Sequence, residues 1–170
     1  MEITNIASFL RYYENVRQRT SRIVARIPPA KLEWTYRQGK FTCGDLVRHL
    51  AAIERWMFAE NVRLRPSRYP GHGRELADGW EAVMALFERW HRESMEVFGA
   101  LRDEDLQARC TTPGGASMPV WKWLRAMVEH EVHHRGQIYI YLGMLGEEDL
   151  PPLYGLTSEE VRARSAPVVL

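Results

Sequence analysis

Apolar residues recur at intervals of three and four in four stretches of the chain, with no long alternation of apolar and polar positions between them. That pattern predicts amphipathic helices and no extended sheet, so the expected fold class is all-α. The first stretch runs roughly from Ile3 to Ile27, with Ile6, Leu10, Tyr13, Thr20, Ile23 and Ile27 along one side, and stops at Pro28-Pro29. The second opens at Thr42, read as an N-cap with Asp45 as its capping-box partner, and carries Leu46, His49, Leu50, Ile53, Trp56 and Met57 on one face. The third, from about Asp78 to Leu101, repeats Trp80, Met84, Phe87, His91, Met95 and Phe98 at helical spacing. The fourth follows Ser117 as cap with Pro119 in its first turn, and its seam reads Val120, Trp123, Met127, His130, His134, Gln137 and Tyr141.

The connections order these helices. Between Arg63 and Leu76 the segment RLRPSRYPGHGREL is too long for a tight turn between antiparallel neighbours, so it is expected to cross the bundle and leave helices two and three parallel. The polar break after Leu101, ending in Thr112-Pro-Gly-Gly115, reads as a loop. Gly143 to Pro152 ends the fourth helix, and a capping box from Thr157 to Glu160 predicts one short helical turn before Ala166-Pro167. No repeat, low-complexity tract or linker divides the chain. Residues 1–170 are therefore read as a single four-helix-bundle domain with a long crossover between helices two and three and a short C-terminal tail over about 146–170.

Composition narrows the partners. Six Trp, seven Tyr and five Phe within a 45% hydrophobic chain supply a sizeable core without disulfide staples. Twenty-three basic against twenty-two acidic side chains leave a formal charge of +1, which gives no reason to expect nucleic acid or an anionic membrane as partner. No apolar run approaches the roughly 20 residues that span a bilayer. The N-terminus also lacks the order of a signal peptide, so a cytoplasmic location is expected. The two cysteines, Cys43 and Cys110, stand in no CxxC spacing, so any metal must be held by nitrogen and oxygen, and Cys43 is read as a small buried residue.

Histidines interrupt the apolar stripes. His130 and His134 are four apart and leave one helix face a turn apart, the spacing by which a helix offers two nitrogens to one tetrahedral cation. His49 lies between Leu46, Leu50 and Ile53, where an unpartnered polar ring would cost free energy. A single such ring is usually satisfied by a carbonyl or carboxylate, but three on two stripes are hard to satisfy separately, and one divalent ion would serve all of them. A three-nitrogen centre keeps a fourth position for water or substrate. Glu54, Glu131 and Gln137 are candidates to orient the ligating rings, with Glu131 read as solvent-facing. His133, about 100° round the helix from His134, is placed at the surface or behind the ligands, and His72 on the connection is expected to be dispensable for metal occupancy.

His91 also sits on a core stripe and is either a satisfied core ring or an acid, base or extra ligand. With Glu88 it echoes the ExxH spacing of ferritin-like di-iron bundles, as Glu131 does with His134. That arrangement would need further inward glutamates, and Glu14 and Glu54 fall off their stripes. Arg63, Arg65, Arg68 and Arg74 on the connection are read as a solvated loop or an anion-attracting lid. The six tryptophans are assigned to packing.

The segment His130-Glu-Val-His-His-Arg-Gly-Gln137 followed by Ile-Tyr-Ile-Tyr-Leu, together with Asp-Leu-Val-Arg-His49-Leu upstream, resembles the DinB-like family, which shares only its name with a lesion-bypass polymerase. The resemblance covers nearly the whole chain. It implies a four-helix bundle holding one divalent metal ion, zinc or nickel, through three histidines that map onto His49, His130 and His134, and a homodimer. It also recommends Arg135 as an anchoring or catalytic residue. Some relatives transfer or isomerise with bacillithiol, mycothiol or glutathione, some resemble hydrolases, and others have no known activity. The expected partner is a small-molecule substrate, a low-molecular-weight thiol foremost, with metal-dependent hydrolysis and non-catalytic metal binding or a stress-response role as alternatives.

Overall fold

The computed structural model describes residues 2–152 and 155–166; Pro167, which was expected to follow the tail helix, lies outside them. Four long helical segments form the bundle. The first, α1, spans Ile6–Val24 and starts at Asn5, whose side chain accepts from the Ser8 N–H. It is shorter than its apolar stripe: Ile27 lies past the helix end but is still buried, ahead of a 3₁₀ turn at Pro29–Lys31. The second segment begins as α2, Cys43–Ile53, behind the expected capping box, with Thr42 and Asp45 exchanging two 2.9 Å hydrogen bonds. It then widens into a π turn, Glu54–Phe58, and resumes as α3, Ala59–Val62. Next come α4, Trp80–Gly99, and α5, Val120–Met144; the tail helix α6, Ser158–Arg164, carries the expected capping box at Thr157.

Side-chain partners give the directions. Glu54 meets His91 and Arg55 meets Glu93, so the second segment and α4 run parallel, as the length of the connection requires. Tyr13 meets Glu131 and the Arg135 guanidinium reaches the Val16 carbonyl, so α1 and α5 are also parallel. Residues 102–119 are not a plain loop. A 3₁₀ turn, Asp103–Gln107, leads into β1, Arg109–Thr111, which pairs antiparallel with β2, Ser117–Pro119. Ser117 therefore pairs with Thr111 and does not cap α5; Pro119 holds the N-cap position, and the Val120 N–H is met by the Ala108 carbonyl at 2.9 Å. Gly115, at φ 81°, makes the hairpin reversal.

The core has two apolar halves. One gathers Ile23, Leu46, Leu50, Phe87, Ile138 and Leu142, the other Phe9, Val16, Phe58, Phe98, Leu124 and Met127. Between them lie the buried charged side chains Arg17, Glu54 and Glu131, at the level of the chain where the histidines of interest also leave their helices. Among the described residues no helix is long and apolar enough to cross a membrane.

Candidate metal centre

His49 comes from α2, and His130 and His134 come from successive turns of α5. The Nε2 atom of His130 lies 3.1 Å from Nε2 of His49 and 3.0 Å from Nε2 of His134. Among the described residues this is the group of His, Cys, Asp or Glu side chains that offers three ligand atoms to one point, all within 4.8 Å of one another. A tetrahedral ion with metal–nitrogen bonds of about 2.0–2.1 Å spaces its ligand nitrogens by roughly 3.3 Å, so the donor set fits such a cation with little adjustment.

Electrostatics keep the rings in the ligating form. Burial, then the neighbouring imidazoles His134, His130 and His72, push His49 down to about 3. Burial, then His134 and His133, push His130 down to about 4. His134 is also lowered, chiefly by burial, against the opposing hydrogen bond to Gln137. All three rings are therefore neutral near pH 7, with lone pairs available to a cation. Their outer nitrogens are held. His134 Nδ1 lies 2.7 Å from Gln137 Oε1 and donates to it, while the Gln137 amide donates to His133 Nε2 at 3.1 Å. His49 Nδ1 lies 2.7 Å from the Tyr69 hydroxyl. With Nδ1–H of His134 engaged, its lone pair sits on Nε2, facing its two partners.

A family model of the DinB superfamily matches residues 12–138, which include all three histidines. The chain belongs to the DinB superfamily. Two solved structures show the same fold. A DinB-like protein from Bacillus subtilis is 16% identical with a TM-score of 0.70, covering 86% of this chain and 96% of that one. A DinB-like protein from Bacillus cereus is 17% identical with a TM-score of 0.68, covering 84% and 94% respectively. No curated protein matches the sequence.

Several candidates fall elsewhere in this DinB-superfamily chain. Of the three residues expected behind the ligands, only Gln137 is hydrogen-bonded to one. Glu131 is not solvent-facing: it is buried, accepts from the Tyr13 hydroxyl at 3.0 Å and pairs with Arg17 at 3.1 Å. Glu54 is buried too, pairing with Arg17 and with His91 Nδ1 at 2.9 Å. The carboxylates that a di-iron reading would need thus do face inward, but the Arg17 guanidinium bridges Glu54 and Glu131, while Glu88 is exposed. Arg135 is buried against α1 through its Val16 contact. Arg74 closes on Asp78, Arg68 lies over the Trp56 ring, and Arg63 and Arg65 are exposed. Cys43 is fully buried, its thiol pushed up to about 11 by burial, which suits packing better than reactivity. Two described cavities, of about 550 and 580 Å³, are lined around Arg65 and Arg109 and around Arg55 and Glu96, and neither includes a histidine of the triad.

His91 is gripped on both nitrogens, by Glu54 at 2.9 Å and Glu14 at 3.2 Å. Two carboxylates require two N–H donors, so the ring is an imidazolium. Burial opposes that charge, but the hydrogen bond and charge of Glu54, aided by Glu14, outweigh burial and the opposing Arg17 charge and raise His91 above its usual value. A group raised on folding contributes stability fully below its unfolded pKa, near 6.5, and loses it as pH rises through the folded value. Denaturant unfolding of wild type from pH 6 upward should show that declining limb, and His91→Gln should flatten it. Parallel curves for the two proteins would contradict the assignment.

Proposed function

We propose that this protein holds one divalent ion, zinc or nickel, through His49, His130 and His134 and activates a small thiol for transfer to an electrophile. The carrying observation is the convergence of three neutral Nε2 atoms, two of them on part-exposed rings, His49 and His130, which leaves a side of the centre open to a fourth ligand. A divalent ion bound there would supply Lewis acidity and stabilise a thiolate at neutral pH. The chain supplies the rest: Gln137 and Tyr69 hold two of the rings in orientation, and the apolar residues around His49 and the Phe58 ring beside His130 pack along the flanks of the donors. In the transfer the sulfur–carbon bond forms as the electrophile's leaving group departs with its bonding pair, and the thiol proton passes to solvent.

The test is turnover by purified protein loaded with zinc or nickel, using glutathione, bacillithiol or mycothiol with a panel of electrophiles. Product is expected only with thiol and metal together and not from His134→Ala. Identical rates from wild type and that variant would refute the proposal. Turnover of an ester or amide without thiol would assign hydrolysis instead.

A further inference from the structure

The connection between α3 and α4 is fastened to the second helical segment at three heights. The Arg68 N–H donates to the Trp56 carbonyl at 2.7 Å, the Tyr69 hydroxyl meets His49 Nδ1 at 2.7 Å, and Arg48 Nε donates to the Ala77 carbonyl at 2.8 Å. Only the middle fastening touches a triad ring. Beyond it the backbone turns at Gly71, φ 95°, a conformation that favours glycine, and His72 folds back so that its Nδ1 lies 2.9 Å from the same Tyr69 hydroxyl. Phe41 packs on His72 with ring centroids 4.1 Å apart and stands edge-on to His49 at 5.4 Å. His72, which as a loop residue looked dispensable, is thus one hydroxyl away from a candidate ligand.

The number of protons sets the direction of this chain. A tyrosine hydroxyl has one hydrogen, so between two imidazole nitrogens it donates to one and accepts from the other. A phenol, with an ordinary pKa of about 10, keeps that hydrogen at neutral pH. When His49 gives its Nε2 lone pair to a cation, its proton must sit on Nδ1. His49 then donates to Tyr69, and Tyr69 donates to His72 Nδ1. Without a cation, the His49 proton can instead sit on Nε2, shared with His130 at 3.1 Å, and the order His49–Tyr69–His72 is no longer imposed.

We propose that Tyr69 and His72 are positioning residues that couple the α3–α4 connection to occupancy of the metal centre: a bound divalent cation fixes the direction of the hydrogen-bond chain His49–Tyr69–His72 and locks the connection against α2. This rests on the reading of His49 as a ligand. Neither residue contacts the cation, and each acts through the orientation of the His49 ring.

The experiment measures Zn(II) affinity by chelator competition for full-length wild type, Tyr69→Phe, His72→Leu and His72→Asn, with thermal unfolding of each metal-free protein and backbone hydrogen exchange over residues 67–73 with and without Zn(II). Loss of a partner behind a ligating histidine lowers metal affinity about 10- to 100-fold, so Tyr69→Phe should weaken Zn(II) by at least about tenfold, and His72→Leu, which acts through Tyr69, by a smaller factor of about three to ten. His72→Asn, whose side-chain oxygen can accept where Nδ1 did, should recover most of that loss. Zn(II) should slow exchange in the connection of wild type and not of the two weakened variants, while metal-free melting temperatures stay together. Wild-type affinity in both variants would overturn the coupling and leave the metal centre standing. Metal-free melting temperatures that fall in step with affinity would reduce the pair to packing. A wild type that binds no Zn(II) would remove the ligand role of His49 and the coupling with it.

Discussion

Replacing His134 or His130 with alanine is expected to weaken divalent-metal binding by more than about a hundredfold, beyond the 10- to 100-fold that follows loss of a group behind a ligand. Three imidazoles are the whole donor set at this point among the described residues, and two cannot enclose a tetrahedral cation. His133→Ala is the matched control: it removes an exposed ring from the same helix turn, one that meets the Gln137 amide that orients His134 and stands edge-on to the His134 ring at 5.0 Å. Its loss should stay within about tenfold, since it offers the centre no ligand atom and reaches it only through Gln137 and the edge of the His134 ring. The metal-free forms should melt close to wild type, because a neutral ring is removed without stranding a charge. Metal content and chelator competition separate the variants. Equal losses from His133→Ala and His134→Ala would show that the triad is not the binding set.

Arg17→Met is expected to destabilise the protein by about 3–5 kcal/mol, the usual cost of removing one partner from a buried ion pair. For a domain of this size that corresponds to a fall in melting temperature of roughly 10 °C. Arg17 is 3% exposed, and its guanidinium serves Glu54 and Glu131 at once while lying 4.4 Å from the centre of the Phe87 ring. Methionine keeps much of the apolar bulk, so the loss reports the two carboxylates left inside without their guanidinium. The double variant Arg17→Met/Glu131→Gln should regain part of it, because a neutral amide replaces one stranded charge. Denaturant titration reads both. An Arg17→Met protein within about 1 kcal/mol of wild type would mean that solvent reaches this layer and that its charges are not closely coupled.

The helices, the long crossover and the capping boxes at Thr42 and Thr157 were legible because periodicity and caps are local signals. The histidine triad was legible for a different reason: a polar ring on an apolar stripe needs a partner, and spacing on α5 put two such rings on one face. Glu54 was not legible, because the π turn Glu54–Phe58 advances the helix by an extra residue. Extrapolating the α-helical stripe past Ile53 therefore buried Trp56 and Met57, which are only half-buried, and turned out Glu54 and Phe58, which are fully buried. Arg17 and Glu131 were missed as a pair. Each alone has the look of a solvated helix residue, and only contacts between α1, α5 and the π turn make their burial tolerable. The spacing of Tyr13 and Arg17, one turn apart on α1, was the available local sign. Tyr69 carried no periodic signal because it lies on the connection, where three-dimensional fastening to α2 decides its role. Ser117 reads as a cap, and the pairing of β1 with β2 overrides it.

X-ray absorption at the zinc or nickel edge, with metal content measured on protein purified without a histidine tag, tests the central claim most directly. One ion per chain is expected, with scattering from three imidazoles at about 2.0–2.1 Å that disappears in His49→Ala. Two ions per chain, a first shell without imidazole, or a spectrum indifferent to His49→Ala would contradict it.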